Sequence, residues 1–115
     1  MKNNLEKLNK SGIEPVLSDV KKTLRSLYGE QLQGIILFGS YARGEATEHS
    51  DIDLLVLLKK HPVAKFREIR KMGDMIFDVL MKHRHLIGVV PASEKEWKTA
   101  TSALYRNVKK EGIPI

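Results

Sequence analysis

Two carboxylates set two positions apart, Asp51 and Asp53, introduce an apolar run, Leu54-Leu-Val-Leu-Leu58. Side chains alternate along a strand, so both acids leave the same face close to one another. Carboxylates that close repel, and neutral pH tolerates them best with a cation between them. Hard oxygen donors of this kind suit Mg2+ or Mn2+ shared with substrate phosphates. Ile52 points the opposite way, into a core, and sets the register. Upstream, Gly39-Ser40 closes a second apolar run, Gly34-Ile-Ile-Leu-Phe38. Gly39 has no Cβ, so the chain can turn sharply there and let its backbone approach a ligand. Ser40 adds a hydroxyl and an N–H, and a helix starting there would aim N–H groups at a phosphate. Arg43 either adds a charge-assisted contact or pairs with Glu45 or Glu48 on the surface. The competing reading of the acidic pair is a loop in which Ser50 and Asp51 cap backbone before the strand. The combination favours chemistry: Asp-x-Asp opening one buried strand soon after Gly-Ser closes another is more specific than either half.

The surrounding elements must hold these groups in place. Pro15 opens a segment with Val16, Leu17, Val20, Leu24, Leu27 and Tyr28 at helical spacing, and Gly29 can end it. Residues 34–38 and 53–58 read as strands buried on both faces. Residues 39–50 form a turn with room for a short helix. From Val63 the period becomes helical, with Val63, Phe66, Ile69, Ile76, Phe77 and Leu80 on one stripe and Gly73 as its weak point. Leu86-Ile-Gly-Val-Val90 reads as a third strand, ended by Pro91. Ser93 and Glu96 form a capping-box pattern ahead of a last helix that buries Trp97, Ala100, Leu104 and Val108, with Gly112 at its end. The order is α-β-(turn/α)-β-α-β-α. That predicts an α/β (α+β) fold, a small mixed sheet flanked by helices.

Length and composition narrow the class. The 115 residues read as one domain, 1–115, with its motif core at 34–58. Cysteine is absent, which excludes disulfide scaffolds and thiolate metal sites. No apolar run is long enough to span a membrane, and the start lacks the apolar stretch of a secretory signal, so a cytoplasmic setting is expected. The net charge is +6, unevenly spread. Residues 1–33 carry six basic side chains against four acids, and 59–115 carry thirteen against six. Residues 34–58 carry Arg43 alone against Glu45, Glu48, Asp51 and Asp53. Carboxylates for a cation inside a positive surround suit a metal–polyanion site, although a solvated basic surface gives the same balance.

Gly39-Ser40, ten intervening residues, then Asp51-x-Asp53 resembles the signature of the polymerase-β-like nucleotidyltransferase superfamily. The fuller Gly-Ser-Tyr-Ala-Arg-Gly followed by Ser-Asp-Ile-Asp-Leu-Leu-Val is similar to its minimal bacterial and archaeal members. The resemblance implies the nucleotidyltransferase fold, with Gly39 and Ser40 binding nucleotide phosphates and Asp51 and Asp53 as catalytic, metal-binding residues. It further implies Mg2+ or Mn2+ as cofactor, a nucleoside triphosphate (ATP) as ligand, and pairing with a helical HEPN-domain toxin. In such modules the nucleotidyltransferase can attach adenylate to a tyrosine of its partner. One departure stands out. Active members carry a third carboxylate on the next core strand, whereas residues 85–91 contain no acid and Gly88 is the expected occupant of that slot. Asp78 is the nearest upstream acid, more simply an i,i+4 partner of Lys82. His49, His83 and His85 read as solvated connections, with His85 the one worth testing as a substitute base.

Two expectations follow from different classes. One is a metal-dependent enzyme moving a nucleoside monophosphate, AMP, to a hydroxyl on a protein partner as the antitoxin of a HEPN toxin. The other is a catalytically weak or inactive module of the same fold, acting by nucleotide and partner binding. Nucleic acid is not an expected partner, because the basic region lacks aromatic interleaving and a binding motif. No membrane association is expected.

Overall fold

The computed structural model describes residues 12–99 and 102–115. Helix α1, Glu14–Tyr28, has Pro15 in its first turn and stops where Gly29 takes φ 55°. Its buried stripe is Val16, Leu17, Val20, Leu24 and Tyr28. A 3-10 turn leads into β1, Leu32–Phe38, and a single helical turn, α2, Ser40–Arg43, follows Gly39. Strand β2 is Ile52–Leu58. Helices α3, Lys65–Lys71, and α4, Gly73–His83, lead to β3, Ile87–Ser93. Helices α5, Glu94–Lys98, and α6, Ala103–Glu111, precede a two-residue strand β4, Ile113–Pro114.

The sheet is mixed, as expected, in the order β3-β2-β1-β4. β2 pairs antiparallel with β1 and parallel with β3, while β4 pairs antiparallel with β1. Alternation divides β2 between two layers. Ile52, Leu54, Val56 and Leu58 face α1 and α4 with Ile35 and Leu37. Leu55 and Leu57 face Tyr105 and Val108 of α6 with Ala92. Burying each large aliphatic side chain contributes about 1.5–3 kcal/mol, so the central strand anchors both layers. β1 is less enclosed than expected, with Gly34, Ile36 and Phe38 only half-buried on the α6 side.

Several expectations need correction. The stripe placed on Val63–Leu80 lies one residue off. Val63 is buried and Ile76 half-buried as expected, but the buried helical positions are Glu68, Met72, Met75 and Val79, spaced four, three and four apart, while Phe66, Phe77 and Leu80 are exposed. One residue is about 100° of helix rotation, and the ladder also breaks at Met72, beside Gly73, into two helices. Pro91 does not end β3, which runs on to Ser93. β3 is an edge strand, where a missing N–H can face outward. The last helix is two pieces, and Tyr105 rather than Leu104 is buried, Leu104 being 40% exposed. Ala100 lies outside the described residues. Ser93 does cap α5, accepting from Glu96 N–H at 2.9 Å.

Glu68 shows why a polar residue took a core position. Its carboxylate accepts the Tyr28 hydroxyl at 2.8 Å and Lys60 Nζ at 2.8 Å, tying α1, the end of β2 and α3 together. Burial pushes the carboxyl up, but the bonds from Lys60 and Tyr28 and the charges of Lys60 and Lys71 outweigh it and hold the carboxyl below its ordinary value. A lowered carboxylate stabilises above its unfolded-state pKa, and that contribution fades as pH falls through the folded-state value. Glu68→Ala should therefore cost about 2 kcal/mol at neutral pH in denaturant unfolding, with the gap to wild type narrowing in acid. An unchanged midpoint at neutral pH would show that the triad is inert.

Candidate functional site

β1 and β2 run antiparallel with Phe38 opposite Asp53, and β2 and β3 run parallel with Asp53 opposite Gly88. Asp53 therefore lies at one end of the sheet, between the last residue of β1 and the second residue of β3. By parity it faces the α6 layer, on the side of Leu55 and Leu57. Both neighbouring backbones come close to it. At Gly39, with φ 78°, a Cβ would land on Asp53 Oδ2. At Gly88 a Cβ would lie 3.2 Å from Asp53 Oδ1. The carboxylate thus sits between two glycines, and Gly39 is required twice over, by its left-handed backbone and by the space Asp53 fills.

Asp51 precedes β2 and is exposed. Its charge nevertheless reaches Asp53, whose carboxyl is pushed up first by burial and second by Asp51, with Arg43 pulling the other way. That coupling is what two acids on one face produce. The loop-capping alternative accounts for Ser50 but not for the acids. Ser50 Oγ accepts from Thr47 N–H at 2.9 Å and Ser50 N–H donates to Thr47 C=O at 3.1 Å, so the loop caps itself. Among the described residues neither carboxylate accepts a protein hydrogen bond. Both are left to a ligand or to water.

Ser40 opens α2, whose turn closes when Arg43 N–H donates to Gly39 C=O at 3.1 Å and Glu45 N–H to Ser40 C=O at 2.9 Å. Buried Tyr41 and Ala42 fix this turn to the core, and the Tyr41 ring meets His85 edge-on at 6.3 Å. Arg43 takes the surface-pair option with Glu45, Nε to Oε2 at 3.1 Å, but not with Glu48. Its second partner is Glu111 at the end of α6, Nη1 lying 3.3 Å from both carboxylate oxygens. Glu111 Oε1 also accepts from Gly39 N–H at 3.3 Å. Sequence reasoning missed Glu111. No spacing links positions 39 and 111, and the packing of α6 on the sheet together with the small strand β4 brings them together.

The other candidates lie elsewhere. Asp78 is exposed on α4 and does not pair with Lys82, which bonds Asp19 at 3.0 Å instead. Asp78, Asp19 and His83 line an open groove of about 660 Å³ that shares no residue with the Gly39–Asp53 turn. His83 pairs with Asp19 at 2.6 Å, and His49 with Glu48 on the surface at 3.4 Å. No residue of β3 supplies an acid, and Gly88 occupies the position facing Asp53. Among the described residues no group of three or more His, Cys, Asp or Glu could hold a metal. Two carboxylates without protein donors still fit Mg2+, which keeps waters and takes substrate phosphates as its remaining ligands.

Comparison with known proteins gives the family. Residues 17–114 match the family model described as a nucleotidyltransferase domain. The chain is 33% identical over 108 residues to "Putative protein adenylyltransferase MJ0604" of Methanocaldococcus jannaschii, covering 86% of this chain and 93% of that protein. It is 36% identical over 89 residues to the protein adenylyltransferase MntA of Thermococcus cleftensis, covering 73% and 88%. A longer M. jannaschii relative matches at 36% over 76 residues, and the chain spans 50% of its length. Among solved structures, a toxin–antitoxin crystal structure with AMP-PNP superposes with a TM-score of 0.61 at 24% identity, over 84% of this chain and 69% of that one. This last likeness concerns the fold. No helix among the described residues is long and apolar enough to cross a membrane. By its family match and its relatives, the chain belongs to the nucleotidyltransferase domain family.

Proposed function

We propose that this chain binds ATP with Mg2+ or Mn2+ and transfers AMP to a hydroxyl on a protein partner. The observation that carries the reading is the Asp53 carboxylate, set between the Gly39 turn and Gly88, raised by the charge of Asp51 and without a donor among the described residues. In this reading Asp51 and Asp53 are the metal ligands and catalytic residues, and Gly39 and Ser40 hold the phosphates. Relatives named as protein adenylyltransferases support the reaction class, and the toxin–antitoxin neighbour with AMP-PNP supports a nucleotide ligand and a toxin partner, the HEPN kind being implied only by the motif's resemblance. A cytoplasmic setting and one domain over 1–115 belong to the same proposal.

The acceptor oxygen attacks the α-phosphorus, a new P–O bond forms, the bond to pyrophosphate breaks, and the hydroxyl proton must leave. A cation on the carboxylates supplies charge neutralisation at the phosphates. Ser40 and the Gly39 N–H would hold the departing phosphates, and Asp53 lies close to the Gly39 and Gly88 backbone. No β3 side chain stands ready to take the acceptor proton, because Gly88 faces Asp53. A missing general base costs typically ~10²–10⁴-fold, so turnover is slow unless the partner provides the group. That same glycine supports the second reading, a module that binds nucleotide and partner without transfer.

With α-labelled ATP, Mg2+ and the protein encoded beside this chain, label should pass to the partner and Asp53→Ala should abolish it. Nucleotide binding without any transfer favours the second reading, and neither binding nor transfer removes both. A stability measurement complements this. Asp53 is raised by burial and by Asp51, so its folded form binds a proton more readily than its unfolded form, and ionising it costs stability above that pKa. Asp53→Asn should therefore raise the metal-free melting temperature by a few degrees at neutral pH while removing any Mg2+-induced stabilisation. A lower melting temperature would mean that the carboxylate serves the fold and not a ligand.

A further inference from the structure

The end of α6 is fixed against the site with little freedom. Gly112 N–H donates to Val108 C=O at 2.7 Å, and a Cβ at Gly112 would lie 2.6 Å from Ile36 Cγ2. The next residue, Ile113, is buried and pairs with Leu37, two residues before Gly39. Glu111 is thereby held over the Gly39 turn. Its carboxylate accepts from Gly39 N–H and from Arg43 Nη1, each at 3.3 Å. Arg43 is at the same time bonded to Glu45. The one cation within the 34–58 segment is thus shared between two acids, and the turn N–H already carries an anion.

We infer that Glu111 is an internal competitor for the phosphate seat, a residue that sets how tightly the site takes polyphosphates. It rests on the nucleotide-binding reading above. A carboxylate and a phosphate oxygen ask for the same donors, a backbone N–H and a guanidinium. Both cannot hold Gly39 N–H and Arg43 Nη1 together, so a polyphosphate arriving at this turn displaces Glu111. The contacts suit exchange. They are long for charge-assisted bonds, and the Arg43 and Glu111 side chains are 42% and 24% exposed, where an ion pair contributes little. Backbone movement is unnecessary, since the glutamate can turn into solvent while α6 and β4 stay in place. Removing the Glu111 charge leaves Arg43 with Glu45 alone and makes the seat one unit less negative, which favours a polyanion.

The test measures binding of Mg-ATP, inorganic tripolyphosphate and adenosine to wild type, Glu111→Gln and Glu111→Asp by calorimetry, with folding checked by circular dichroism. Glu48→Gln serves as control, since it removes a nearby surface charge that does not touch Arg43. Glu111→Gln should tighten Mg-ATP and tripolyphosphate by about three- to tenfold. Adenosine and the control should show no change, and Glu111→Asp, too short to reach both donors, should tighten binding in the same direction. Unchanged or weaker polyphosphate binding in the folded Glu111 variants overturns the inference and makes Glu111 a support for the turn. An equal gain in Glu48→Gln overturns it too, by reducing the effect to bulk charge. If Ser40→Ala and Asp53→Ala leave wild-type Mg-ATP binding intact, the nucleotide reading itself fails and takes this inference with it. Normal sensitivity to those two variants without a gain at Glu111 removes the inference alone.

Discussion

The contact between the Gly39 backbone and the Asp53 carboxylate governs the rest of this molecule. It exists because β1 and β2 pair with Phe38 opposite Asp53, which brings the end of one strand against the beginning of the other. Any side chain at position 39 would occupy the space of an Asp53 oxygen, and the chain could not turn into α2 at φ 78° without strain. The register is in turn set at the entry of β2, where Ile52 is buried in the α1 layer and Asp53 faces the α6 side. A slip of one residue would send Asp53 into the layer packed by α1 and leave Ile52 at the surface. Core packing therefore decides where the acids point.

The same arrangement stores an electrostatic cost. Asp53 is partly removed from water, faces the charge of Asp51 and receives no hydrogen bond from the described residues. A protein selected only for stability would place an amide or an apolar residue there. Glu68 is the instructive contrast. It is more deeply buried than Asp53, yet Tyr28 and Lys60 satisfy it and its carboxyl stays low. One acid is stabilised by its neighbours and closes the fold, while the other is left unsatisfied at an open strand end. That difference supports the proposal that Asp53 serves a ligand.

Where the sequence could be read follows from how local each feature is. The Gly-Ser turn, the two acids and the flanking strands are encoded within positions 34–58, and two continuous apolar runs, the first closed by a glycine, expose them. The absence of an acid opposite Asp53 was also legible, since Gly88 lies where strand pairing places it. Helical phase was harder. Glu68 hid the true stripe, because a charged residue does not signal burial, and Phe66 and Phe77 suggested a face that the packing leaves exposed. β4 has two residues, too few for any pattern, and with it went Glu111, whose place beside Arg43 is wholly tertiary. Pro91 misled for another reason: only the sheet order shows that its strand is an edge.

Asp51 and Asp53 are proposed to receive a divalent cation together with a nucleotide at the end of β2. Paramagnetic broadening tests it most directly, because Mn2+ selectively broadens the amide resonances of nearby residues. With substoichiometric Mn2+ and AMP-PNP, the amides of Gly39, Asp53 and Gly88 should broaden first, while those of Asp19 and Asp78 in the α1–α4 groove keep their width. Broadening centred on Asp19 and Asp78, or none at Gly39 and Gly88, would mean that the Asp51/Asp53 pair does not hold the cation.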